Sequence, residues 1–187
     1  MNLADKLIYS NIQEYRIGDS ECENLTLKAL HCGIKTIVIG PSALDTVHHV
    51  LGTEESIKVN VAVSYPSGAY TTETKIQEIE GLLELDKRID GFYAVMQVGA
   101  YLSGRKEEVY KEMRDIVQAA KGIPISLITE IGVMRNEQIE EVCKMAIDSG
   151  IYGLVTSAGF LPYEVPFADE EAYKTAIKAG GQDLQII

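Results

Sequence analysis

Short runs of β-branched and aliphatic residues alternate along this chain with longer segments of helical periodicity, and that alternation constrains the fold more than any other feature. The runs fall at 7–12, 36–40, 59–64, 91–98, 125–131, 153–157 and 183–187. Their starts are 23 to 34 residues apart, the length of a βα unit. The runs are apolar along most of their length, as parallel strands covered on both faces must be, with Glu130 near the end of the fifth as the charge in the interior of a run and Asp183 at the first position of the seventh.

Helical segments fill the intervals. One opened by Asp19 or Ser20 ends near His31, before Gly33, and Ser42 opens a second that runs to Leu51. A third follows Thr71 or Thr72 and covers 73–85. The segment 106–121 is strongly periodic, with Val109, Met113, Ile116, Val117 and Ala120 on one face. Asn136 caps 137–149 and Asp169 caps 170–179. The regular spacing, and the lack of a Gly-x-Gly-x-x-Gly loop after the first strand, predict a (β/α) barrel of the TIM type rather than an open doubly wound sheet. The whole chain, 1–187, reads as one domain. Eight units ordinarily need at least ~200 residues, so seven strands in 187 residues predict a barrel lacking its eighth unit. Unpaired edges would follow, and with them a homo-oligomer or a partner subunit that covers the gap.

Charge narrows the partners. With 17 Lys+Arg against 28 Asp+Glu, the net charge of −11 and the absence of a basic cluster argue against nucleic acid. No apolar run approaches the ~20 residues of a membrane span, and residues 1–5 lack the pattern of a signal peptide, so a cytoplasmic protein without membrane association is expected. Cys22, Cys32 and Cys143 are far apart and show no metal-ligand spacing; no metal and no cofactor is expected. His31, His48 and His49 fall on helices, away from the strand ends.

Barrel active sites form at the carboxyl ends of the strands. Here those ends read Tyr9-Ser10-Asn11, Gly40-Pro41-Ser42, Ser64-Tyr65-Pro66-Ser67-Gly68-Ala69, Gln97-Val98-Gly99-Ala100, Thr129-Glu130-Ile131-Gly132 and Thr156-Ser157-Ala158-Gly159-Phe160. They are rich in hydroxyls, amides and glycines and poor in charge. Glu130 is the candidate general acid or base, or alternatively a structural carboxylate bonded to Lys75. Lys75 has Glu78 one turn later and reads as a surface or structural pair, with a catalytic amine as the alternative. Tyr9, Tyr65 and Tyr93 are candidate phenolic donors at the barrel mouth, with packing as the alternative for each. Gln97 is a candidate donor to a carbonyl oxygen, or equally a group that satisfies the barrel interior. Ser67, Thr156, Ser157 and Gly159 are candidate binding residues, the last two cradling an anion with the Ala158 backbone. The charges of 106–114 and 137–144 alternate at helical spacing and read as solvated faces.

Four of these segments, Ser64–Ala69 with Thr72 and Lys75, Val98–Ala100 with Ser103-Gly104, Thr129–Gly132 and Thr156–Phe160, occur in the order and spacing that resembles the deoxyribose-phosphate aldolase family from about Gly33 to Phe160. The resemblance implies a class I aldolase barrel, in which a lysine forms a Schiff base with an aldehyde. It also marks departures. The position implied for that lysine is Val155, and those implied for two aspartates are Tyr93 and Tyr9. Leu161 and Pro162 stand where a phosphate-gripping basic residue is implied, and a second lysine and a glycine-rich loop would follow Ile187. Amine catalysis needs a desolvated lysine, so the expectation is a divergent relative that binds a small carbonyl or sugar-derived compound and acts as a lyase or proton-transfer catalyst without the usual Schiff base. The rival expectation is a catalytically inactive subunit that binds a partner chain completing the barrel.

Overall fold

A computed structural model describes residues 3–14, 17–160 and 170–187. Seven parallel strands lie side by side in chain order: β1 (Ile8–Ser10), β2 (Thr36–Ile39), β3 (Lys58–Val63), β4 (Gly91–Val95), β5 (Ile125–Ile128), β6 (Gly153–Val155) and β7 (Gln185–Ile186). This sequential order is that of a curled (β/α) arc and not of a doubly wound sheet, whose order reverses at a switch point. Among the described residues β1 and β7 do not pair with each other, so the barrel is incomplete.

The helices are α1 (Asp19–Cys32), α2 (Leu44–Leu51), α3 (Thr72–Leu83), α4 (Val98–Leu102), α5 (Lys106–Ala119), α6 (Asn136–Ser149) and α7 (Glu170–Gly180). Their ends follow local chemistry. The Thr71 hydroxyl accepts the Thr74 N–H at the start of α3. After α6, Gly150 turns into the left-handed region at φ +79°, where a side chain would be strained, and Ile151 N–H closes back on the Ala146 carbonyl.

Strand alternation sorts side chains into two cores. Val59, Val61 and Val63 of β3, Phe92 and Ala94 of β4, Ile125 and Leu127 of β5 and Leu154 of β6 pack outward against Leu25, Val47, Ile79, Val109, Met113, Ile116 and Val142 of the helices. Val38, Tyr93, Val95 and Ile128 form a smaller cluster in the lumen, joined by Ala158 and flanked by Ile8, Tyr65, Val155 and Ile187.

All seven expected strands are present, and the largest differences lie at the carboxyl ends of β4 and β5. β4 stops at Val95, three residues before the expected Val98, because Val98 N–H turns back onto the Met96 carbonyl and α4 begins at once. β5 stops at Ile128, and Ile131–Val133 is a 3-10 turn. The expected cap Asp169, like Leu161 and Pro162, lies outside the described residues.

Candidate active site at the carboxyl end of the arc

The loop after β6 is held by its neighbours through the backbone of one residue, Ala158. Ala158 N–H donates to Glu130 Oε1 at 2.6 Å, and its carbonyl accepts the Tyr65 hydroxyl at 2.7 Å and Gln13 Nε2 at 3.1 Å. The Tyr65 ring meets Phe160 edge-on with centroids 5.9 Å apart. Glu130 follows β5, Tyr65 follows β3 and Ala158 follows β6, so three strand ends converge here. Gly159 adopts φ +73°, and a Cβ there would run into the Gln13 amide. That close approach is a reason for glycine at this position.

Glu130 is the chemically distinctive group. Its second oxygen, Oε2, is buried without a hydrogen-bond partner. Burial raises its pKa above the ordinary carboxylate value, against the opposing effects of the Ala158 N–H and the Ser157 hydroxyl. The Tyr65 phenol is pushed up to about 12, first by burial and then by the charge of Glu130. Unsatisfied buried oxygens are rare enough to call for an explanation, and a waiting proton or substrate group is one.

Other candidates fall elsewhere. Lys75 does not bond Glu130, nor does it form a surface pair with Glu78. It is fully buried, with Nζ 2.8 Å from Glu112 Oε1 and 2.6 Å from the Val95 carbonyl. Burial lowers its pKa, although Glu112 opposes the shift. Glu78 instead accepts the Ser64 N–H at 2.9 Å and the Ser64 hydroxyl at 3.1 Å. Gln97 does not face a carbonyl substrate in the lumen; its Nε2 donates to Glu112 Oε2 at 2.6 Å. Glu112 was part of an expected solvated face, yet it is 1% exposed. It stands with Val109, Met113 and Ile116 on the buried side of α5, and its position three residues after Val109 and four before Ile116 is the sequence signal for its burial.

Tyr9 does not point into the mouth. Its parity on β1, beside Ile37 of β2, turns it toward the helix layer. Tyr93 faces the lumen but lines a cavity at the opposite, amino end. Thr156 is tied to β7, its hydroxyl 3.3 Å from the Ile187 carbonyl. Ser67 is exposed and lines a surface cleft with Thr72 and Gln97. The expected anion cradle is already occupied from within: Gly159 N–H donates to the Ser157 hydroxyl at 2.9 Å, and Ala158 N–H is held by Glu130. Val155, at the position the resemblance implies for the Schiff-base lysine, lies in the lumen cluster.

Among the described residues no group of three or more His, Cys, Asp or Glu side chains is placed to hold a metal ion, and no helix is long and apolar enough to cross a membrane.

No family model matches the chain. Individual proteins do. It is 34% identical over 120 residues to the deoxyribose-phosphate aldolase of Klebsiella pneumoniae subsp. pneumoniae, covering 64% of this chain and 47% of that protein. The chain is related in sequence to deoxyribose-phosphate aldolases. The Carboxydothermus hydrogenoformans deoxyribose-phosphate aldolase is 29% identical over 150 residues, covering 75% of this chain and 62% of that protein. Thus the chain spans about half to three fifths of the length of these two relatives. Its fold matches the tetrameric deoxyribose phosphate aldolase from Aeropyrum pernix with a TM-score of 0.82 at 19% identity, over 98% of this chain and 75% of that one. The aldolase barrel architecture therefore extends across nearly all of the chain.

Proposed function

We propose that this relative of the deoxyribose-phosphate aldolases binds a small carbonyl compound at the carboxyl-end mouth and moves a proton on it with Glu130, an aldolase-like chemistry that does not pass through a lysine imine. The observation that carries the proposal is the Glu130 carboxyl itself: one oxygen fixed by the Ala158 N–H, the other buried and unpartnered, and a pKa raised by burial. A carboxyl with a raised pKa exchanges protons closer to neutrality, where general acid–base catalysis is most effective. In the reaction the Glu130 carboxylate takes the proton α to the carbonyl, and the electron pair moves to the carbonyl oxygen. Return of the proton completes an exchange; in the cleavage direction the Glu130 carboxylate instead takes the β-hydroxyl proton, the Cα–Cβ bond breaks as the new carbonyl forms, its electron pair passes into the enolate, and the Glu130 carboxyl returns the proton to the enolate carbon.

Two further features support this reading over an amine mechanism. Val155 supplies an apolar wall and no nucleophile. Lys75, a lysine with a lowered pKa, is sealed between Glu112 and the Val95 carbonyl and has no route to a substrate. Tyr65 and Ser157 are the orienting groups beside Glu130, the roles first considered for Tyr9, Tyr93 and Gln97.

The test is deuterium exchange at the α carbon of acetaldehyde and of deoxyribose 5-phosphate in heavy water. Wild-type protein should accelerate exchange, and Glu130→Gln, which keeps an acceptor for Ala158 N–H, should lose about 100-fold or more of that acceleration. Undiminished exchange in the variant would remove Glu130 from the chemistry.

A second reading rests on the unpaired edges of β1 and β7, beside which Ile8 and Ile187 are only half-buried. On this reading the chain is an inactive subunit whose open seam is closed by a companion chain.

A further inference from the structure

At the amino end of the arc, opposite Glu130, lies a cavity of about 800 Å³. Lumen layers in barrels of this architecture are filled mainly by branched aliphatic side chains. The layer that lines this cavity carries instead an amide, a phenol and a hydroxyl: Asn60, Tyr93 and Ser126, exposed by 7%, 6% and 3%. Registers place them together, because β3 and β4 pair Ala62 with Tyr93 and β4 and β5 pair Tyr93 with Ser126. The side chains of Ser126 and Asn60 both engage the Tyr93 phenol. These mutual hydrogen bonds satisfy part of the trio, and their remaining donors and acceptors give the floor of the cavity a polar surface that a polar occupant can share.

The rim carries the second observation. Lys6, Lys35 and Lys58 stand just before or at the start of β1, β2 and β3 and all line the cavity. Lys58 N–H donates to the Lys35 carbonyl at 2.8 Å, which holds the last two side by side. Among the described residues none of the three is within ion-pair distance of a carboxylate. Of the two acidic residues in the lining, Asp90 is engaged by Arg88 Nε at 3.3 Å and by the Val59 N–H at 2.8 Å, which leaves Glu55. Although the net charge is −11, three lysines gather around one polar cavity with no ion pair among the described residues; Lys35 feels the charge of Glu54, which lies outside the lining. Like charges held together repel, and an anion relieves that repulsion.

We propose that this mouth is a binding site for a small hydroxylated oxyanion, the anionic group held by Lys6, Lys35 and Lys58 and the hydroxyls by Asn60, Tyr93 and Ser126. The site is separate from the Glu130 mouth and does not depend on its chemistry. Titration of the isotopically labelled chain with inorganic phosphate and with glycerol 3-phosphate, followed by amide chemical shifts, tests it. The expected shifts cluster at residues 35, 58, 91 and 126. The double variant Lys35→Gln/Lys58→Gln, made at exposed positions that leave the core intact, should weaken both probes about tenfold. Tyr93→Phe should weaken glycerol 3-phosphate more than phosphate, since phosphate has no hydroxylated carbon chain to place on the floor. Shifts clustered at 157–159 instead, unchanged affinity in the double variant, or no shifts up to about 50 mM, above the range of a weak specific site, would each overturn the proposal.

Discussion

Glu112 and Glu130 are both carboxylates withdrawn from water, and their partners decide what each can do. Glu112 is fully matched by Lys75, Gln97 and Thr72, so it locks α3, β4 and α5 together and has no capacity left for a substrate. Removing one member of such a pair strands the other charge in the interior. Lys75→Met should cost about 3–5 kcal/mol of stability, and adding Glu112→Leu should recover much of that loss. Urea unfolding of the two variants checks this; a double variant no more stable than the single one would show that the pair's value lies in its hydrogen bonds to Val95 and Gln97. Residues of this kind were poorly legible in the sequence. Lys75 and Glu112 are 37 positions apart, and each has nearer charges with which a helical-spacing argument pairs it first. Glu130 was legible because a charge inside an apolar strand run is conspicuous. Its partner, the Ala158 backbone, was not, since a backbone N–H leaves no trace in residue type.

At the level of elements, α5 shows why the periodicity was readable. Val109, Met113 and Ile116 are completely buried between α5 and the sheet, which is the stripe that spacing predicts. Ile116→Ala should destabilise the fold by about 2–5 kcal/mol through lost burial and the cavity left behind, measured as a shift in the urea midpoint. A change below 1 kcal/mol, on the order of a single methyl group, would mean that α5 does not pack as described. All seven strands and the six longer helices could be read for the same reason: two different periods alternate. The strand ends were harder. Met96 and Val98 continue the apolar run of β4, but the chain has already turned at Gln97, and α4, only five residues long, is too short to display a period of its own. Tyr9 was misplaced by the same kind of limit: β1 is three residues long, and alternation cannot be phased on so short a strand without its neighbour's register.

As a whole molecule, the arc presents a carboxyl-end mouth with the half-satisfied carboxyl of Glu130, an amino-end mouth ringed with lysines, and a seam between β1 and β7 that its own described residues leave open. If a companion chain closes that seam, light scattering at micromolar concentration should report a dimer or larger species; a folded monomer would contradict the inactive-subunit reading. The aldolase architecture and the catalytic apparatus are separable, because chemistry resides in the site and not in the barrel that carries it. The central claim is that carbonyl chemistry here proceeds without a lysine imine. Cyanoborohydride trapping with acetaldehyde and with deoxyribose 5-phosphate, read by intact mass and peptide mapping on folded protein, tests that claim most directly. The account predicts no specific adduct on any lysine while Glu130-dependent exchange persists. A stoichiometric adduct on a single lysine would contradict it and would name the amine that does the work.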